Sequence, residues 1–430
     1  MRRTAVAAVL GSAALFTLAA CGGGGGGSGS APTGSSTGVL TDGPVGGVQY
    51  STSSGVTGTT DAQGRFDYNP GDVVTFRIGQ LTLGSLTANG SSTTITPIQI
   101  AEGASGLSAD QRQSLVTNLL VLLQSLDSDG NADNGITIPA AAGTALTTAA
   151  AGQINLNADP ATFASNPALA DASTAAGGEV VDPEEALAHF EEQFYKDAAG
   201  FHLLQSSPTE LIAIRLDDHG NYLMGEIGAA DDSGQPGIER GRIDWNPQTG
   251  EITVPSISLD TNGEWGLSHI QESERIFFKL NDGQLAIRVV DLETQPSTEE
   301  TLPFVRVSPG INLFGPWALD RGAGSARSLG VQQFLFLANG RYLMLDPVGD
   351  EDEVPCGGPG LEYGSFSLAS GAFTASAIAQ DTNGCAGLHD DGDYSSFTDV
   401  VVDANAGTAT LHEGEDVFTL LRPDYSAPAL

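Results

Sequence analysis

Oxygen-bearing side chains alternate with other residues in one short stretch of the chain. These side chains are Asp127, Asp129, Asn131 and Asp133. A hard cation such as Ca²⁺ takes about six to eight oxygen ligands, and a tight turn can bring such side chains together. The spacing therefore predicts a Ca²⁺ site. The alternative is a polar turn, in which the same oxygens accept hydrogen bonds from nearby backbone amides.

This stretch resembles the beginning of EF-hand and dockerin calcium loops, and the resemblance implies that the four side chains are ligands. Two departures weaken that expectation. Ala132 stands where the loop glycine belongs, and Ile138 stands where a bidentate Glu would complete the coordination. A site of this kind would be weak or would take its last ligands from elsewhere in the chain.

The tetrapeptide Asp-Thr-Asn-Gly occurs twice and offers four more candidate ligands. They are Asp260 and Asn262 in the first copy and Asp381 and Asn383 in the second. Because Asn-Gly is a preferred pair in tight hairpin turns, we expect turns at both positions rather than ligand sites.

Other catalytic or metal-binding patterns are weak. The six histidines are scattered, without the close spacing typical of zinc sites, and His389 stands beside Asp390, Asp391 and Asp393. No phosphate-binding glycine loop with its lysine is present. With 53 acidic residues, a hydrolytic carboxylate pair cannot be identified by position alone. We therefore expect a non-catalytic protein, with a hydrolase as the alternative.

Composition narrows the possible partners. The chain has 430 residues, with 17 Lys and Arg against 53 Asp and Glu, and its net charge is −36. Such a surface repels nucleic acid and anionic lipid headgroups, but it is compatible with cations and neutral glycans. The length predicts two to four domains, since a typical domain has roughly 150 residues.

The N-terminus predicts a lipid anchor. Arg2 and Arg3 precede an apolar stretch over 5–20, which is shorter than a membrane-spanning helix. The sequence Leu-Ala-Ala-Cys ending at Cys21 resembles the lipobox of bacterial lipoproteins, which implies cleavage after residue 20 and acylation of Cys21. Gly22 stands where an inner-membrane retention signal would place Asp, so the resemblance implies the outer membrane. Residues 21–38, rich in Gly and Ser, form the expected tether.

Residues 39–96 predict a β-sandwich, because alternating β-branched and aromatic residues are separated by Gly, Asp and Pro turns. The segments GTTDAQGRFDY and GDVVTFRIG resemble transthyretin-like (carboxypeptidase-regulatory-like) modules, which implies a structural or spacer role. Residues 97–197 predict a helical layer packed on this sandwich. A capping box at Ser108 and Gln111 begins one helix, and Asp182 with Pro183 begins another.

The C-terminal half predicts a tandem duplication over 198–310 and 311–430. The segments GNYLM at 220–224, PGIERG at 236–241 and DTNG at 260–263 recur as GRYLM, PGLEYG and DTNG, 120 to 123 residues later. Each copy is long enough for one antiparallel β-barrel or sandwich. The Gly-Pro-Trp sequence at 315–317 resembles the opening of lipocalin-like barrels, whereas the first copy has Gly-Phe-His at 200–202.

Cys356 and Cys385 are the two cysteines that remain once Cys21 is acylated. They form an even count in a compartment where disulfides persist, so we expect them to be bridged. Two free thiols are the alternative.

The expected fold is mainly β with a small helical subdomain, and the arrangement resembles proteobacterial surface lipoproteins. The expected function is a binding or adhesion protein of the cell envelope, held to the membrane only by its lipid. Its duplicated modules would present a surface to a glycan or protein ligand, because two linked weak sites gain avidity. A lipid-anchored hydrolase, with its site in one β-module, is the alternative.

Overall fold

The computed structural model describes residues 34–148, 153–294, 296–349, 357–384, 387–390 and 393–426. These residues form a mainly β protein with a small group of helices, as the sequence predicts. Four parts follow one another along the chain: a β-sandwich, the helices, and two β-modules.

The N-terminal part consists of two sheets that enclose an aromatic core. Its strands are β1 Ser36–Leu40, β2 Val45–Gly46, β3 Gln49–Thr52, β4 Thr57–Thr59, β5 Arg65–Tyr68, β6 Asp72–Ile78, β7 Leu81–Ala88 and β8 Ser92–Ile95. The sheet orders are β5-β1-β8 and β4-β3-β6-β7. Phe66 of one sheet contacts Tyr50 and Phe76 of the other. The expected tether was to end at Gly38, but β1 already begins at Ser36, because this segment pairs with both β5 and β8.

Two helices of the helical part begin where the capping residues predict. Its elements are α1 Pro97–Gly103, α2 Ala109–Ser125, β9 Ile136–Thr137, α3 Ala140–Thr148, α4 Pro160–Ala164, α5 Pro167–Ala176 and α6 Pro183–Ala198. Ser108 and Gln111 form the capping box of α2, and Asp182 caps α6 through the backbone N–H of Glu184. The strand β9 pairs with β2 and joins the helices to the sandwich.

Helix α6 also packs on the first β-module, which the sequence did not suggest. The ring of Phe194 stacks on Trp245 with centroids 4.0 Å apart, and Phe190 meets the same indole edge-on. The hydroxyl of Tyr195 accepts a hydrogen bond from the Trp245 backbone N–H at 2.8 Å. The sandwich, the helices and the interior of this module therefore share one continuous hydrophobic core.

Module 1 denotes residues 200–306. Its strands are β10 Gly200–Ser207, β11 Glu210–Leu216, β12 Asn221–Ile227, β13 Gly237–Trp245, β14 Ile252–Asp260, β15 Glu274–Asn281, β16 Gln284–Asp291, β17 Thr298–Pro303 and β18 Val305–Arg306. One sheet has the order β14-β13-β12-β11-β10-β18 and the other β15-β16-β17. The first strand, β10, thus pairs with the last strand, β18.

Module 2 denotes residues 315–421. Its strands are β19 Gly315–Leu319, β20 Gln333–Phe336, β21 Arg341–Asp346, β22 Gly360–Ala369, β23 Ala372–Asp381, β24 His389–Asp390, β25 Asp393–Tyr394, β26 Ser396–Phe397, β27 Asp399–Asp403, β28 Thr408–Glu413 and β29 Asp416–Leu421. Nine of them form a nearly closed barrel-like sheet in the order β26-β23-β22-β21-β20-β19-β29-β28-β27.

The two modules share their strand register, as a duplication predicts. Tyr222 lies opposite Gly241 in module 1, and Tyr342 lies opposite Gly364 in module 2. The register also shifts at equivalent points of β13 with β14 and of β22 with β23. Both copies therefore keep one folding plan, including its irregularities.

The modules pack against each other through the outer faces of their central strands. Leu223, Ile227 and Ile238 of module 1 share a buried cluster with Leu343 and Leu361 of module 2. Arg215 lies fully buried at this interface. Its guanidinium donates to the carbonyl oxygens of Ala326, Ser328 and Asp424, so the charge is surrounded by acceptors from module 2 and from the segment that follows it.

Candidate ligand-binding site in module 2

Side chains of the central strands in module 2 alternate between its interior and the contact with module 1. Tyr342 and Met344 of β21 belong to the interior cluster, whereas Leu343 and Leu345 belong to the cluster shared with module 1. This alternation follows from the two-residue period of a strand. The interior is therefore a separate compartment with its own lining.

A cavity of about 170 Å³ lies at one end of this interior. Its lining comes from β19, β20, β21, β28 and β29 and from the segment between β23 and β27. The apolar part of the lining includes Phe334, Phe336, Met344, Leu388, Phe397 and Phe418. Phe418 is 40% exposed, so the cavity reaches the surface of the module.

Four polar residues, Arg321, Gln332, Ser395 and Glu413, also line the cavity. Gln332 is only 6% exposed, and its Oε1 atom has no hydrogen-bond partner in the described part of the chain. Glu413 Oε1 accepts a weak hydrogen bond from the Ser396 backbone N–H at 3.4 Å. Arg321 is exposed. The cavity thus combines an apolar interior with one buried amide oxygen, Gln332 Oε1, that lacks a partner among the described residues.

No sequence motif marks this site. The repeat offset of 120 residues aligns Gln332 with Ile212 and Phe334 with Ile214. The sequence signal for this site was the replacement of an isoleucine in one copy by a glutamine in the other. Only the folded barrel shows that this position is buried.

Each module also holds a buried glutamate that the sequence analysis did not single out. In module 2, Glu362 accepts hydrogen bonds from the Tyr342 hydroxyl at 3.2 Å and from the backbone N–H groups of Leu388 and His389 at 3.0 and 3.2 Å. Burial raises the pKa of Glu362 to about 7. This carboxyl group fastens the segment after β23 to the barrel wall.

The same arrangement occurs in module 1. Glu239 accepts hydrogen bonds from the Tyr222 hydroxyl and from the backbone N–H groups of Leu267 and Ser268, the last two at 3.1 and 3.0 Å. Burial raises the pKa of Glu239 above its usual value. In both copies the glutamate holds an equivalent segment in place. We therefore assign a structural role to Glu239 and Glu362.

The repeated Asp-Thr-Asn-Gly segments form turns, as expected. Asp260 Oδ1 accepts from the backbone N–H groups of Asn262 and Gly263, and Asp381 Oδ1 does the same for Asn383 and Gly384. The turns do not join paired hairpin strands, however, because β14 pairs with β13 and β23 with β22 and β26. The type I′ hairpin expectation is therefore wrong in this detail.

The second oxygen of each aspartate points to the loop beyond the turn. Asp381 Oδ2 lies 2.9 Å from His389 Nδ1, and Asp260 Oδ2 accepts from the Ser268 hydroxyl at 3.0 Å. Asn262 and Asn383 are fully buried. His389 therefore takes Asp381 as its acidic partner, a residue eight positions earlier in the chain.

The Asp-rich segment adopts the turn that was the alternative interpretation. Asp127 accepts from the backbone N–H groups of Asn131 and Thr137 at 2.9 and 2.8 Å. Asp129 accepts from the same Asn131 N–H and from the Asn134 side chain.

Asp133 points elsewhere, toward α6. Its Oδ1 lies 3.4 Å from His189 Nδ1 and 3.8 Å from Lys196 Nζ. In the described part of the chain, no three His, Cys, Asp or Glu side chains are grouped as a metal site. Calcium binding by Asp127, Asp129, Asn131 and Asp133 remains a prediction.

Three predicted positions lie outside the described residues: Cys21, Cys356 and Cys385. The lipid anchor and the disulfide therefore remain predictions. Over the residues that the structure describes, no helix has both the length and the apolar character needed to cross a membrane.

Comparison with known proteins gives no relative: no family model matches the chain, and no curated protein or solved structure is significantly similar to it. The resemblances to lipobox lipoproteins and to transthyretin-like and lipocalin-like modules remain predictions.

Proposed function

We propose that this chain is a non-catalytic binding protein of the bacterial cell envelope, anchored to the outer membrane through Cys21, and that it binds a small ligand in module 2. The observation that carries the proposal is the cavity of about 170 Å³, which is apolar inside and reaches the surface. Concave, largely apolar sites with a few polar groups are typical of small-molecule binding.

The buried carboxyl groups support binding over hydrolysis. A glycoside hydrolase of the common type would need two carboxyl groups placed around a substrate cleft in one module. Instead, each module has one such glutamate, Glu239 in module 1 and Glu362 in module 2. Each accepts hydrogen bonds from the backbone of an equivalent loop. Of the described cavity-lining residues, Glu413 is the one carboxylic acid.

The packing of the two modules against each other argues against two independent binding sites. The face of module 1 that meets module 2 is buried in their shared cluster, so the two copies do not act as freely moving, independent sites. The avidity that duplication suggests therefore does not support the proposal. Module 1, fixed to the helices through Trp245, instead supports module 2 as a rigid base. A glycan or protein ligand at the cell surface remains a separate prediction.

A fragment screen by ligand-observed NMR tests the proposal. It compares the full mature protein with its Phe397→Trp variant, in which the larger ring takes up part of the cavity. The control Val401→Trp introduces the same side chain at a position that is 51% exposed on β27. We expect fragments that bind the wild type and Val401→Trp to lose binding to Phe397→Trp. Absence of bound fragments, or fragments bound equally by all three proteins, would overturn the proposal.

A further inference from the structure

We infer that the module 2 cavity selects a neutral single-ring aromatic compound that carries a hydroxyl group, an inference that rests on the proposed function. Three properties of the cavity lead to this class: its volume, its aromatic lining and the unpartnered amide oxygen of Gln332.

The volume sets the size of the ligand. An engineered cavity of about 150 Å³, lined by Leu, Ile and Phe, stays dry and binds benzene. The module 2 cavity measures about 170 Å³. One six-membered ring with one small substituent therefore fits, whereas a fused ring system or a long acyl chain would have to displace the lining.

The lining favours an aromatic ring over an aliphatic group of equal size. Phe334 and Phe336 stand side by side with centroids 6.0 Å apart, and Phe397 meets Phe418 edge-on at 5.8 Å. A ring placed among these side chains gains edge-to-face contacts with them. The Met344 thioether adds a further favourable contact with a ring.

Gln332 supplies the polar requirement. A buried amide oxygen without a partner is costly, because it has lost water and gained nothing in return. A side-chain amide offers both an acceptor and donors, and a hydroxyl group can satisfy either. Ile212 at the equivalent position of module 1 shows that the fold itself does not need a glutamine there. We therefore assign Gln332 to the ligand hydroxyl.

The charges near the cavity favour a neutral ligand. Arg321 and Glu413 are the charged residues among the described lining, so the formal charges of the lining cancel. The chain as a whole carries a net charge of −36, which disfavours an anion in solution. A phenolic hydroxyl, with a pKa near that of Tyr at about 10, is neutral at pH 7.

Phenol and toluene provide a matched pair of probes, since a hydroxyl in one replaces a methyl of similar size in the other. Isothermal titration calorimetry measures both on the full mature protein and on its Gln332→Leu variant. We expect the substitution to weaken phenol binding about tenfold, the effect of one buried hydrogen bond, and to leave toluene binding unchanged or tighter. The control Gln205→Leu changes an exposed glutamine of β10 and should alter neither.

An equal effect of Gln332→Leu on both probes, or no effect on either, would overturn the inference. The absence of phenol binding to the wild type would overturn it too. The proposed function is judged separately: it stands if Phe397→Trp abolishes binding of toluene or of other fragments, whatever the role of Gln332. Circular dichroism confirms that each variant is folded.

Discussion

His202 and Trp317 occupy equivalent positions and make the same buried hydrogen bond. His202 Nε2 lies 2.8 Å from the carbonyl oxygen of Ala198, and Trp317 Nε1 lies 2.6 Å from that of Leu313. Each ring thus bonds to the residue four positions earlier, which lies just before the first strand of its module. Both rings are fully buried. The two copies have kept the bond and changed the donor, so one module has a titratable donor and the other does not.

This difference predicts a pH dependence that comes from module 1. Burial, with the nearby Arg306 charge, lowers the pKa of His202 to about 4 in the folded protein, against 6.5 in the unfolded chain. The unfolded state therefore binds the proton first, and stability falls as the pH drops from 6.5 toward 4, by about 3 kcal/mol at most. His202→Gln keeps a donor that does not titrate. Urea unfolding at pH 7 and at pH 4.5 should show a smaller loss for this variant, and an equal loss in both proteins would contradict the assignment.

Glu362 predicts a dependence of the opposite sign. Its folded pKa of about 7 lies above the 4.5 of a glutamate in the unfolded chain, so the folded state holds the proton more tightly. The stability from this group is complete below pH 4.5 and is lost as the pH rises through 7, by about 3 kcal/mol at most. Relative to the wild type, Glu362→Gln should gain stability between pH 4.5 and 8. The control Glu415→Gln changes an exposed acid and should follow the wild type at every pH.

Replacing Cys21 tests the membrane anchor. Acylation of a cysteine thiol cannot occur on serine, so Cys21→Ser should move the protein from the membrane fraction to the soluble fraction. Fractionation with and without detergent, followed by immunoblotting, measures this shift. Continued detergent-dependent partitioning of the variant would show that another feature holds the protein to the membrane.

A bridge between Cys356 and Cys385 should stabilise module 2. It would close a loop of about thirty residues and, on the chain-entropy model, contribute roughly 3–4 kcal/mol. Thiol titration of the mature, non-reduced and denatured protein should find neither cysteine free. Reduction should lower the Tm of the wild type, whereas the double variant Cys356→Ser/Cys385→Ser should be insensitive to reductant. Two titratable thiols in the wild type would exclude the bridge.

Calcium should raise the Tm if the Asp-rich segment binds it. A ligand that binds only the folded state stabilises it by mass action. Differential scanning calorimetry in EDTA and in millimolar Ca²⁺ measures the shift, and Asp129→Ala should abolish it. Because Asp127 and Asp129 now accept backbone and amide hydrogen bonds, binding would require these carboxylates to exchange partners. Equal Tm values in the two solutions would leave the turn as the role of this segment.

Local features were predictable from sequence because their determinants are close in the chain. The capping residues Ser108 and Asp182 identify their helices correctly, and the repeated motifs mark the modules. The cavity could not be predicted, since its lining residues come from five strands and one connecting segment that meet only in the barrel. The contact of Phe194 with Trp245 was not predictable either, because the apolar face of a helix does not indicate which element it packs against.

The contact between the modules has a consequence for how the protein is made. The chain emerges with its N-terminus first, so the strands of module 1 are complete before those of module 2 exist. The apolar face around Leu223 and Ile238 therefore stays uncovered until the strands of module 2 fold against it. Gly225 adds to this dependence, because it leaves the space that Leu345 later enters. Module 2 thus covers an apolar surface that module 1 would otherwise expose. A chain that stops after module 1 would be prone to aggregation.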